Sequence, residues 1–494
     1  MSFTDFIFYP FAAALIIVLA VLQQLLGKKP SVSNTVKKSI LLAASFFILY
    51  LYDIRFCLCI AAVILITYGG ALLTDKAEGR KKNIICGVTV TLLVLILFFF
   101  KYFNFFMDSV YFIAGQTRTA LDIILPIGIS FYIFTAVSYV LDVVWGAKAD
   151  KNLLDVSLYL AFFPKLICGP IVRAGYFLPQ LKEEKRITWS SFSEGIQIFV
   201  FGLFKKMVIA DRMVIFVNDV FYAPTAYNTA TVWFAALSNL TALYFDFSGY
   251  SDMAYGISKI MGYDVGKNFD LPFITTNISD YFCRWHISLS DWLNDYIFNP
   301  IAFKMRRRLA DKPIKVQKKY MIVPECTALV ITFLISGIWH GAGWTFVIFA
   351  LLNSIGIIVN YVWKYYKYSM PKFLAHIVTL SYILLTLVFF RASSVKDAID
   401  VLIAMLGFNG ILFPQKIVTV ASNFGLDIMV GDVPGTLPKL IFVTAILIVA
   451  FCPNSNQLIK NFRPSYAWLV SITIGFILTI LMMTSPTEFL YFQF

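Results

Sequence analysis

The chain has 494 residues, of which 59% are hydrophobic and 14% charged, against about 25% charged in an ordinary soluble protein. Lys and Arg outnumber Asp and Glu by 41 to 28, a formal net charge of +13. There is too little polar sequence to cover a soluble surface, which excludes a disordered chain, a nucleic-acid-binding domain and a soluble single-core enzyme, and predicts an integral membrane protein.

Lipid cannot hydrogen-bond a bare backbone, so the spanning elements are helices or a closed barrel. Barrel strands alternate apolar and polar residues over about ten positions, whereas the apolar runs here are continuous. The expected fold is therefore all-α and polytopic, with about a dozen transmembrane or re-entrant helices. In chain order the candidates lie near 6–26, 39–52, 57–73, 84–100, 121–144, 156–168, 195–220, 231–260, 322–338, 344–363, 374–390, 436–452 and 466–484. Gly, Pro and charge interrupt several of them, which predicts some broken or re-entrant segments. The stretch 405–435, rich in Gly, reads as a loop or interfacial region.

The basic residues cluster between apolar runs. Lys28, Lys29, Lys37 and Lys38 follow the first, and Arg80, Lys81 and Lys82 follow the third. Lys304, Arg306, Arg307, Arg308, Lys312, Lys315, Lys318 and Lys319 crowd one loop against Asp311, and Lys460 and Arg463 precede the last run. This is the asymmetry that sets membrane orientation, and it accounts for the positive charge without a nucleic-acid partner. It predicts a multi-pass protein of the cell membrane, cytoplasmic loops at 74–83 and 304–319, and both termini extracytoplasmic. The first apolar run, with no basic residue before it, reads as an uncleaved anchor.

The seven cysteines contain no CxxC pair and mostly lie in or beside apolar runs, as inert buried thiols do. No metal site and no bound cofactor are expected. HExxH, P-loop and GxSxG patterns are absent.

Ionisable side chains in apolar sequence cost about 2.5–3.5 kcal/mol at a helix centre, so each is a candidate for function. The chain has three histidines. His340 lies in Trp339-His340-Gly341-Ala342-Gly343-Trp344, with apolar sequence on both sides; Trp339 and Trp344 are candidate walls, and the glycines allow close approach. A neutral imidazole there suits proton removal from an attacking hydroxyl. A structural histidine bonded to a carbonyl at a helix break fits the same spacing, and the spacing leaves both open. His286 lies in the polar stretch 279–299, and His376 is expected at the interface. Asp246, Ser248, Gly249, Ser251 and Asp252 form a second polar knot. Its carboxylates are six apart and so do not share one face of a regular helix; a broken helix lining a cavity or a helix-packing network fits it.

These residues fall in blocks that resemble the membrane-bound O-acyltransferases, in their bacterial alginate O-acetyltransferase (AlgI-like) branch. The blocks are LPIGISFYIF at 125–134, FFPKLICGPIVRAGYFLPQL at 162–181, GLFKKMVIAD at 202–211, YFDFSGYSDMAYG at 244–256, RWHISLSDWLNDYIFNPI at 284–301, SGIWHGAGWTFVIFALLNS at 336–354 and FFRASS at 389–394. The resemblance implies a single transmembrane domain over 1–494 and a central tunnel, through which an acyl group passes from a cytoplasmic donor to an extracytoplasmic acceptor. His340 matches the family's catalytic histidine and His286 its second histidine. Within the blocks, Arg284, Trp285, Asp246, Ser336 and Trp339 are the candidate substrate-binding residues. Phe282, Cys283 and Thr135 depart from the family's usual Trp, Arg and Gln.

The tail 485–494 ends FLYFQF, which is similar to the C-terminal motif of the small DltX protein of teichoic-acid D-alanylation. That likeness makes Tyr491 a candidate acyl carrier; an aromatic belt at the membrane interface fits the same residues. The implied donor is acetyl-CoA or an acyl carrier protein, the implied partner an extracytoplasmic SGNH- or DltD-like acyltransferase, and the product an O-acetylated cell-surface polysaccharide. Alternatives are D-alanyl transfer to teichoic acid, a transporter or polysaccharide-export component, and a structural anchor for the extracellular partner.

Overall fold

The computed structural model describes residues 1–26, 29–408, 412–413, 419, 422–423, 429–430, 436–451, 454–455, 457, 465–483 and 490. The continuous apolar runs form helices, as they must where the backbone has no other hydrogen-bond partner. Among the described residues seven helices are long and apolar enough to cross a membrane: Phe8–Leu26, Pro30–Tyr52, Ile54–Lys76, Gly79–Ile113, Val323–His340, Trp344–Tyr365 and Lys372–Arg391. Ile129–Val144, Pro438–Val449 and Trp468–Met482 are shorter apolar helices. Many apolar side chains on these helices are exposed, among them Leu25, Leu58, Leu65, Phe373 and Leu481, a surface that suits lipid. Among the described residues the β-structure is a two-residue parallel pairing of Leu412–Phe413 with Met429–Val430 and one bridge between Phe269 and Trp285. The fold is all-α.

The chain divides into two compact units, Met1–Gly202 with Tyr250–Asn268, and Leu203–Gly249 with Phe269–Phe494. In the first, small residues let helices touch: a Cβ on Gly195 would lie 2.5 Å from the Gly256 carbonyl oxygen, and the reverse substitution is equally blocked. Lys38 is buried and pairs with the buried Asp155 carboxylate. Lys165 lies over the Tyr159 ring at 5.0 Å and the Phe177 ring at 5.9 Å, so each cation is compensated.

The second unit carries two helix breaks, one at His286 and one just after His340. It also carries a widened turn that the sequence pattern does not show. Lys205–Ala210 is a π-helical turn leading into helix Asp211–Tyr222. Conversely, helix Thr229–Ile260 runs unbroken through Asp246 and Asp252, so the broken-helix reading of that knot is replaced by the packing-network reading. The Gly-rich stretch 405–435 lies largely outside the described residues.

Candidate functional site

Two helix ends of the second unit build the site. Helix Val323–His340 stops at His340: Gly341 is extended and its N–H bonds the Gly337 carbonyl at 3.3 Å. The next helix starts at Trp344. Gly337 lets these two helices meet, since a Cβ there would lie 2.5 Å from both Ala350 Cβ and the Phe346 carbonyl oxygen. A Cβ at Gly341 would run into the Phe346 ring. The glycines of this block therefore serve close packing, which fixes where the last helical residue, His340, points.

His286 stands between the short helices Ile278–Arg284 and Ile287–Leu293, with φ 47° and ψ 53°. A non-glycine residue in this left-handed region costs about 1–2 kcal/mol, so surrounding bonds must hold it there. They do. Asp270 N–H bonds the Arg284 carbonyl at 3.0 Å beside the Phe269–Trp285 bridge, and the Leu289 and Ser290 N–H groups both bond the His286 carbonyl at 3.0 Å.

Both imidazoles line one cavity of about 410 Å³. His286 is 2% exposed. It meets the Phe247 ring edge-on at 4.6 Å and the Trp339 ring at 5.8 Å. His340 meets Trp339 at 5.0 Å, Phe390 at 5.2 Å and Phe349 at 6.2 Å. Trp339 thus touches both imidazoles and is itself buried. The remaining wall is mostly apolar, with Ser279, Ser290, Asp291, Asn294, Thr332 and Ser336 as its polar points. Such a lining suits a small apolar group held beside two proton-transfer groups. Among the described residues no group of His, Cys, Asp and Glu is arranged to hold a metal ion.

Of the residues singled out from the sequence, His286, His340, Trp285 and Ser336 line this cavity. Arg284 and Trp339 are not lining residues. Arg284 instead donates to Asp280 Oδ1 at 3.0 Å and to the Asp270 carbonyl at 3.3 Å. Trp344 is 57% exposed, and His376 Nδ1 lies 2.9 Å from the Thr275 carbonyl oxygen. Cys283, unlike the buried Cys57, Cys59, Cys86 and Cys168, is exposed and lines the cavity. Sequence reasoning missed Phe247, Asp291, Asn294 and Phe390. Asp291 and Asn294 carried a readable signal, the i, i+3 spacing that puts two polar side chains on one helix face.

Asp246 is fully buried in a charged cluster rather than in the cavity wall. Lys206 Nζ lies 2.6 Å from Asp246 Oδ1 and 2.7 Å from Asp211 Oδ1. The π turn explains the second contact. Residues five apart diverge on an α-helix, but here Asp211 N–H bonds the Lys206 carbonyl, the i→i+5 bond of a π turn, and the two side chains meet. The other oxygen of Asp246, Oδ2, accepts the backbone N–H of Leu490 at 3.0 Å, and Leu490 is 1% exposed. Tyr491, the next residue in the chain, lies outside the described residues.

Residues 146–396 match the model of the membrane-bound O-acyltransferase family. The chain is 30% identical to a peptidoglycan O-acetyltransferase of Helicobacter pylori, over 92% of this chain and 91% of that protein. It is 35% identical to a probable alginate O-acetylase, AlgI, of Pseudomonas aeruginosa, over 65% of this chain and 60% of that one. With a teichoic acid D-alanyltransferase of Bacillus subtilis it shares 31% identity over 46% and 57% of the two chains. With its apolar helices and two-histidine cavity, the chain belongs to the membrane-bound O-acyltransferase family, as a multi-pass membrane acyltransferase.

Proposed function

We propose that the protein takes an acetyl group from cytoplasmic acetyl-CoA and passes it across the membrane to an extracytoplasmic SGNH-type partner, which O-acetylates a cell-surface polysaccharide. Tyr491 is the carrier in this reading, with the C-terminal tail on the extracytoplasmic side. The observation that carries it is the pairing of His286 and His340 on one cavity, next to a helix that also holds Leu490. The acetyl assignment follows the peptidoglycan and alginate relatives, which match this chain over more of its length than the D-alanyltransferases do.

In the first step His340 takes the phenolic proton of Tyr491 and the phenolate oxygen attacks the thioester carbonyl. A C–O bond forms and the C–S bond breaks. The imidazolium returns its proton to the departing thiolate, leaving free thiol and an acetyl ester on Tyr491. A phenol, with pKa near 10, is easier to ionise than a sugar hydroxyl. An aryl ester keeps more acyl-transfer potential than the sugar ester, so onward transfer is downhill, and the charged donor never has to enter lipid. His286 orients the donor carbonyl or its developing oxyanion. Arg284, Trp285, Trp339, Ser336 and Asp246 support substrate binding, Arg284, Trp339 and Asp246 acting through the groups that they hold.

Incubation of the purified protein with labelled acetyl-CoA tests this. Intact-mass and peptide analysis should find one acetyl group on Tyr491, and Tyr491→Phe should abolish it and the onward transfer. Undiminished transfer by Tyr491→Phe overturns the carrier role. A D-alanyl group found on the protein after expression in its native cells overturns the acetyl assignment.

A further inference from the structure

We infer that Asp246 is the positioning residue for the C-terminal segment, gripping its main chain at Leu490. The inference deepens the carrier reading of Tyr491, on which its catalytic consequence rests. The grip itself stands on described residues alone.

The charges support it. Lys206 faces two buried carboxylates, those of Asp211 and Asp246. Lys206 takes one oxygen of each carboxylate. The second oxygen of Asp246 still needs a donor, because a buried carboxylate without one is costly. A backbone N–H at 3.0 Å meets that need, as a charge-assisted bond stronger than one between neutral groups. The donor comes from a residue 244 positions away in sequence that is nearly the last of the chain. The contact holds the tail through its backbone, whatever side chain residue 490 carries.

The location gives the grip its use. Leu243 and Phe247, one helical turn apart on helix Thr229–Ile260, line the histidine cavity, and Phe247 touches His286. Asp246 is the residue before Phe247. The tail is therefore anchored one residue before the candidate carrier, Tyr491, on the same helical turn that walls the cavity. The Leu490 anchor and one wall of the histidine cavity thereby share one rigid element, which lowers the entropy cost of bringing the tail to the cavity.

The test uses the full-length protein with Leu490→Pro, which deletes the N–H and leaves the carboxylate untouched, against Leu490→Met, which keeps the N–H and the apolar volume. One readout is the rate at which a Phe492→Cys thiol reacts with a water-soluble maleimide, followed on the C-terminal peptide. The other is acetylation of Tyr491 at varied acetyl-CoA. Leu490→Pro should raise the labelling rate about tenfold or more and lower kcat about as much, the usual weight of a charged hydrogen bond. The KM for acetyl-CoA should stay within about twofold, because the bond touches the tail and not the donor. Leu490→Met should match the parent in both. Equal labelling of the Pro, Met and parent proteins overturns the inference. If Leu490→Pro does not fold, Asp246→Asn replaces it: it keeps the shape but weakens the bond, and an unchanged labelling rate overturns the inference equally. If Tyr491→Phe leaves transfer intact while Leu490→Pro still releases the tail, the carrier reading fails and the anchor stands.

Discussion

Phe247 stands edge-on to the His286 imidazole, with centroids 4.6 Å apart and planes at 85°. The ring both walls the cavity and fixes the imidazole, which also meets Trp339, a ring that touches His340. Phe247→Ala removes that support and enlarges the cavity. It should destabilise the protein by about 3–5 kcal/mol, as large-to-small core changes do, and lower acyl transfer at least tenfold. Phe247→Leu should recover most of the stability and less of the rate. Thermal unfolding in detergent and labelled-donor transfer check the two effects separately.

The backbone of His286 separates strain from chemistry. Glycine adopts φ 47° without penalty, whereas alanine does not. His286→Gly should therefore be more stable than His286→Ala by about 1 kcal/mol, the difference that the left-handed region imposes. Both lack the imidazole, so both should lose activity to the same extent. If His286→Gly were active and His286→Ala not, the residue would matter for its backbone alone.

A glycine in mid-helix is worth about 0.5–1 kcal/mol less than alanine, so Gly337→Ala would stabilise an isolated helix. In this protein it should destabilise, because the added methyl meets the Ala350 methyl and the Phe346 carbonyl oxygen at 2.5 Å. The two helices must part, and His340 three residues on moves with them. Reduced melting temperature together with reduced kcat is expected. A stabilised and fully active Gly337→Ala would show that the helix pair has room to spare.

The lipid-facing architecture was legible from composition because every spanning residue must satisfy its backbone within its own helix. The runs 322–338, 344–363 and 374–390 are the helices Val323–His340, Trp344–Tyr365 and Lys372–Arg391 nearly to the residue. His340 stood out as a candidate because ionisable side chains are rare in apolar sequence, whereas His286, in a polar stretch, stood out through its family block. Phe247 and Phe390 did not, since 49 phenylalanines look alike until the fold selects two. The Asp246 knot left a broken helix and a packing network both open for a physical reason. Its compensating cation, Lys206, lies 40 positions away on a π turn, and a counter-charge distant in sequence removes the need for a helix break. The grip on Leu490 was invisible because it is made by a backbone N–H, which every residue but proline carries.

The buried cluster makes the last prediction non-additive. Lys206→Met leaves Asp211 and Asp246 buried without their shared cation, and breaking a buried ion pair from one side costs about 3–5 kcal/mol. The protein should express poorly and melt early. Adding Asp211→Asn and Asp246→Asn removes both carboxylate charges and should restore much of the stability, since an uncharged cluster of similar volume is often close to neutral. The triple variant should still transfer acyl groups slowly, because an amide oxygen holds the Leu490 N–H less firmly than a carboxylate does. Melting temperatures for the single and triple variants, set beside their rates of Tyr491 acetylation, measure the two consequences independently. A triple variant as unstable as Lys206→Met would mean that the cluster stabilises through its geometry and not through its charge balance.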